Sequence, residues 1–146
     1  MKKLKNKNLI LMINTAMQNE MTVFLFDGQK INKSVARGQK DKLLSLIDKL
    51  ARKNKKEIAD ITGIVVTSGP GSFTAVRQGA AAANALGFAL RVPVRGVRLE
   101  EFKNDDELLK IGLRKLAKAK MGDIVLPFYG KEPNIIRARD PSLRSG

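Results

Sequence analysis

The stretch Ile61–Leu90, ITGIVVTSGPGSFTAVRQGAAAANALGFAL, constrains this chain more than any other. It reads as a buried strand, a tight Gly-Pro-Gly turn, and a helix that is small and apolar on almost every side. Within the helix Phe73, Val76, Ala80, Ala83, Gly87 and Leu90 recur in steps of three and four. Ala75, Gly79, Ala82, Leu86 and Ala89 form an adjacent apolar stripe, and only Arg77, Gln78 and Asn84 are strongly polar. Such a helix cannot stand in water alone. Its small residues let neighbouring backbones approach closely. The expectation is that one cover is the chain's own sheet and another is a second protein.

The elements around this unit follow from local pattern. Leu9–Ile13 is a short apolar run suited to a buried strand. Thr22–Phe26 is β-branched and aromatic, and Asp27-Gly28 follows it directly, a hairpin signal. Lys30–Ala36 is the returning strand. From Asp41 to about Asn54 the period becomes helical, with Leu43, Leu46, Ile47 and Leu50 on one side. Ile61–Thr67 is the next strand, Ser72 caps the long helix, and Val92–Val97 is a further strand after its end. Asn104 or Asp105 caps a last helix running to about Lys120, and Ile124–Tyr129 is a final strand or extended segment. The order βββαβαβ, then a helix and a strand, predicts an α/β fold. Its sheet is mixed and flanked by helices, as in a ribonuclease-H-like or actin-like half-domain. The division expected is a basic tail at 1–8, the domain at 9–97, a linker with helix and strand at 98–130, and a partly ordered tail at 131–146.

Composition removes several chemistries. The chain has no His and no Cys, so zinc sites of that type, and triads or dyads built on imidazole or thiolate, are excluded. The lack of Cys fits a reducing, cytoplasmic setting. The apolar run behind the basic N-terminus is too short for a signal peptide. No other segment has the roughly 20 apolar residues needed to span a bilayer. Metal-dependent hydrolysis needs clustered carboxylates on central strands, but the first strand ends in Asn14-Thr15. Glu57, Asp60, Glu100, Glu101 and Asp105–Glu107 read instead as surface acids and caps, so no catalytic or metal site is assigned. The turn Ser68–Ser72 lacks the Lys of a P-loop and the third glycine of a dinucleotide fingerprint. It reads as a structural turn, with an anion cradle as the alternative. The net charge of +14 favours polyanions, yet the seven aromatics show no base-stacking cluster along the sequence.

The residues Ser68-Gly69-Pro70-Gly71-Ser72-Phe73-Thr74-Ala75-Val76-Arg77-Gln78-Gly79 resemble the signature of the TsaB (YeaZ) family. The resemblance extends through LLSLIDKL at Leu43–Leu50 and ALRVPVRGV at Ala89–Val97, and into the closing Leu126–Asn134. It implies an actin-like (ASKHA) fold without catalysis. The implied role is that of non-catalytic partner to TsaD in forming N6-threonylcarbamoyladenosine at position 37 of tRNAs reading ANN codons. The implied signature turn is Gly69, Pro70, Gly71, Ser72, Phe73, Thr74 and Arg77. Implied partner-binding positions are Leu43, Leu46, Ile47, Ala75, Val76, Gly79, Ala82, Ala83 and Leu86, and Gly79→Arg or Ala83→Arg is expected to break that complex. No cofactor is required by this chain, while ATP or ADP is allowed at the partner interface or in the partner. A TsaE-like ATPase, tRNA through the complex, and a homodimer through the same helices are further implied contacts; a membrane is not. The chain departs from the family at Asn14 and Ala75. It is also short, as if most of the second domain were missing. The alternatives are a stand-alone basic RNA-binding module, or a phosphotransferase or peptidase-like enzyme.

Overall fold

The computed structural model describes residues 8–17, 19–37 and 42–130. The expected tails, apart from Asn8, and the expected helix start at Asp41 lie outside these residues. Five strands form one sheet: β1 (Ile10–Asn14), β2 (Glu20–Phe26), β3 (Ile31–Arg37), β4 (Gly63–Gly69) and β5 (Val94–Arg98). Three helices accompany them: α1 (Leu43–Lys53), α2 (Phe73–Leu90) and α3 (Asp105–Leu116).

The strand order is β3-β2-β1-β4-β5. β1 pairs antiparallel with β2, from Ile10 opposite Phe26 to Asn14 opposite Thr22. It pairs parallel with β4, from Ile10 beside Gly63 to Ile13 beside Val66. β2–β3 is antiparallel and β4–β5 parallel. The β2–β3 turn forms because Asp27 Oδ1 accepts from the backbone N–H of Gln29 (2.9 Å) and Lys30 (3.0 Å). Gly28 takes the positive φ of +100° that this turn requires. The same two backbone bonds, to Lys30 first, hold the Asp27 carboxyl below its ordinary value.

Alternation along the strands divides the core into two layers. Leu11, Ile13, Val23, Leu25, Ile64 and Val66 face α1 and α2. Met12, Phe24, Val65 and Val97 face α3, which contributes Leu108. Gly112 of α3 lies so close to the sheet that a Cβ there would sit 2.9 Å from both methyls of Val65. The helix expected within the 98–130 linker segment is a packed layer of this core.

Ile124–Tyr129 is extended but forms no strand. Pro127 lacks an N–H and interrupts any ladder. Instead the Asn84 side chain brackets Val125: Nδ2 donates to its carbonyl and Oδ1 accepts from its N–H, both at 2.9 Å. The N–H of Phe128 donates to the Ser68 carbonyl at 2.8 Å. These three bonds tie the returning chain to α2 and to the end of β4.

Candidate functional site

The glycine turn sits where β4 hands the chain to α2. Gly69 has φ of +125°, and a Cβ there would run into the Phe128 carbonyl. A Cβ at Gly71 would come within 2.7 Å of the Ala16 carbonyl oxygen. The room a phosphate would need beside these glycines is filled by the chain's own backbone, which supports the structural-turn reading. Ser72 is the N-cap of α2, its Oγ accepting from the Ala75 N–H at 3.4 Å. Arg91 in left-handed conformation ends the helix.

The side of α2 that meets the sheet carries Val76, Gly79, Ala80, Ala83 and Gly87, all buried. Two approaches leave no room for a side chain: a Cβ at Gly87 would run into Val94, and one at Gly79 would lie 2.5 Å from Thr15 Oγ1, a hydroxyl that donates to the Ala75 carbonyl at 2.6 Å. On α1, Leu43, Leu46 and Ile47 are likewise buried in the layer beneath the sheet. Six of the nine expected partner positions, Leu43, Leu46, Ile47, Val76, Gly79 and Ala83, are therefore core residues of this chain. Ala75, Ala82 and Leu86 are half-buried. The correction has a plain physical cause: a helix laid on a sheet turns its closest-packing small residues toward the sheet.

The solvent-facing side of α2 is a different stripe, Thr74, Gln78, Ala81, Ala85 and Phe88, all exposed. Phe88 keeps 88% of its surface in solvent. Leu44 on the neighbouring α1 is also exposed. Sequence reasoning missed this stripe because it took the two most apolar stripes of α2 and left the third. Beyond Phe88, a groove of about 400 Å3 opens between the end of α2 and residues 121–124, with Met121 and Ile124 on its far wall.

A second cluster gathers at the turn. Phe73, 56% exposed, stacks on Tyr129 with ring centroids 4.5 Å apart and planes inclined by 30°. The Arg77 guanidinium lies over Phe73 at 5.0 Å, and that of Arg98 over Phe128 at 3.8 Å. Of the signature residues, Gly69, Pro70, Gly71 and Ser72 build the turn, Phe73 and Arg77 join this cluster, and Thr74 faces solvent. Phe73 and Arg77 precede Phe128 and Tyr129 by more than 50 residues, so no local pattern reveals the cluster.

The sheet end at Asn14 and Thr67 holds buried polar groups without formal charge: Asn14, Thr15, Thr22, Thr67 and Ser68. Asn14 Oδ1 accepts from the Ala16 N–H at 2.9 Å. Thr67 Oγ1 has no hydrogen-bond partner among the described residues. Among the described residues no three His, Cys, Asp or Glu side chains are grouped as metal ligands. No helix among them is long and apolar enough to cross a membrane. Glu101 is a half-buried acid beside Arg98 and Lys115. Burial would raise its pKa, but the Arg98 N–H and the Lys115 ammonium, 3.0 Å away, bring it below its ordinary value.

A mixed sheet whose first three strands run antiparallel and whose remaining strands are parallel, with helices on both faces, defines a half-domain of the ribonuclease-H-like, actin-like class. Two solved structures place it more narrowly. YeaZ from Pseudomonas aeruginosa is 24% identical with a TM-score of 0.58, the match covering 62% of this chain and 43% of YeaZ. A crystal structure of an uncharacterised protein with similarity to peptidase YeaZ, from the same organism, matches at 23% identity, TM-score 0.58 and the same coverage. The fold is that of YeaZ, also called TsaB, and the chain spans under half the length of the structures it matches. Residues 31–100, just under half the chain, are similar to the TsaD family, tRNA N6-adenosine threonylcarbamoyltransferase.

Proposed function

We propose that this chain is a TsaB-like, non-catalytic accessory subunit in the formation of N6-threonylcarbamoyladenosine on tRNA, acting in the cytoplasm by binding a TsaD-like transferase. The observation that carries the proposal is the outward stripe of α2. Ala81, Ala85 and Phe88 leave an apolar helix side uncovered on a fold shared with YeaZ. Small residues flanking one large aromatic suit a partner helix laid alongside, with Phe88 as anchor. The similarity to the TsaD family over residues 31–100 gives the same assignment a second support. In this reading the chain's own chemistry is contact, not catalysis. Nucleotide belongs to the partner or to the shared interface, a TsaE-like ATPase is a further component, and tRNA is met through the complex.

The test is to mix the full chain with the TsaD-family protein of its own organism and measure mass by light scattering on a sizing column. A heterodimer is expected, and Ala85→Arg is expected to dissolve it without lowering the melting temperature. Adding the chain should raise the rate of threonylcarbamoyl transfer to tRNA. Two separate peaks at micromolar concentration, with no effect on transfer, refute the accessory role. Self-association of the chain alone, abolished by the same substitution, would show that the stripe also serves a homodimer.

A further inference from the structure

The cluster at the glycine turn is unused by that assignment, and its composition points to another ligand. Three aromatic rings and two guanidinium groups gather at the turn in two neighbouring groups: Phe73, Tyr129 and Arg77, and, one residue earlier on the returning chain, Phe128 with Arg98. Both arginines lie over ring faces, 5.0 Å and 3.8 Å from the centroids. Arg77 makes no ion pair among the described residues, and Arg98 reaches Glu100 only at 3.8 Å, both side chains being well exposed. Such an exposed, screened pair is worth little.

We infer that this surface binds single-stranded nucleic acid, with an unpaired base stacked on the Phe73–Tyr129 pair and phosphates held by Arg77 and Arg98. Unstacked bases pack on aromatic rings and on guanidinium planes, and arginines track the phosphates. A protein partner would also use Tyr, Phe and Arg. The charge decides between the two. The chain carries +14, and its sequence after Tyr129 adds Lys131, Arg137, Arg139 and Arg144 against only Glu132 and Asp140. Duplex recognition is not favoured, because stacked rings need splayed bases rather than a closed groove. Sequence preference is not expected, since every base has a π-face. The inference does not need the accessory role, because the free chain should bind.

The protein supplies its own reporter. Tyr129 is the sole Tyr and there is no Trp, so the tyrosine emission of the whole chain reads the proposed stacking position. The experiment titrates the full chain with a 12-nucleotide oligouridine RNA at low salt, following tyrosine emission and, separately, the anisotropy of a labelled copy. Heparin serves as a polyanion without bases. Binding of the RNA is expected to quench Tyr129 while heparin binds without quenching, and RNA affinity should fall steeply as salt rises. Tyr129→Ala and Arg77→Ala should each weaken RNA binding, the former by about fivefold to a hundredfold, whereas Tyr129→Phe should retain it. Melting curves of these surface variants confirm that they fold. RNA affinity unchanged in Tyr129→Ala and Arg77→Ala would overturn the inference, as would no RNA binding at low salt or equal quenching by heparin. It is also overturned if Tyr129→Ala weakens binding to the TsaD-family protein and leaves RNA binding intact, which makes the cluster a protein contact.

Discussion

Ala83 and Ala85 lie two residues apart on α2. Ala83 is wholly buried against the sheet, while Ala85 is exposed on the opposite side. The inward side adds Val76, Gly79, Ala80 and Gly87, and the outward side Gln78, Ala81 and Phe88. Both sides are small and mainly apolar, so hydrophobicity hardly distinguishes them. Distance to the backbone does. The inward side holds glycines at its points of closest approach, Gly79 against Thr15 and Gly87 against Val94. The outward side has none. Small residues inward serve the fold, and small residues outward are free to serve association.

The strongest way to break this comparison is Ala83→Arg. A charge placed in that fully buried position costs several kcal/mol, comparable with the whole stability of a domain of this size. Loss of the cooperative thermal transition is expected, and a melting temperature near that of the parent would show that the inward side is misassigned. Gly79→Ala comes next. Its methyl must displace the Thr15 hydroxyl, at a cost of about 1–3 kcal/mol. Adding Thr15→Ala removes the obstruction, so urea midpoints should show the double variant less destabilised than the sum of the singles; strict additivity would count against the contact. Thr67→Val tests a smaller matter in the opposite direction. Removing a buried, unpartnered hydroxyl at constant shape should stabilise by about 1 kcal/mol, and a fall in the midpoint would mean the hydroxyl has a partner. Glu101 gives a modest pH effect. Its folded value is lowered, so its contribution is present above the unfolded value and fades as pH falls through the folded one. Denaturation from neutral pH down through the carboxylate range should show a flatter acid limb in Glu101→Gln. The smallest effect on stability belongs to Ala85→Arg, within about 0.5 kcal/mol, although the same substitution should abolish partner binding. A large loss of stability there would erase the distinction between the two sides.

Much of the fold was legible because its signals are local. The Asp27-Gly28 pair, the Ser72 cap, the Asn104 cap and the apolar strands each act within a few residues, and the expected element order matches the observed one through the last helix, the final strand alone not forming. What resisted reading was orientation. On α1 the side made by Leu43, Leu46, Ile47 and Leu50 was identified correctly, but Leu43, Leu46 and Ile47 were assigned to a partner when the chain's own sheet claims them. On α2 the residues are so uniformly small that the pattern is almost the same from every direction, and only the close approaches of Gly79 and Gly87 reveal which side is covered. The Phe73–Tyr129 cluster depends on the chain returning across the turn after Pro127. The Asn84 bracket that secures this return joins residues 41 apart, beyond any periodicity.

The placing of β1 has a consequence for how the molecule opens and closes. All five of its residues are buried, and it is hydrogen-bonded on both edges. One neighbour, β2, is its immediate successor in the chain; the other, β4, arrives about 50 residues later. The pairing with β2 closes a short loop, whereas that with β4 waits for a long one. No fluctuation at the rim of the sheet exposes its amides. They should exchange with deuterium only when the whole domain unfolds, which makes them the internal clock of global opening.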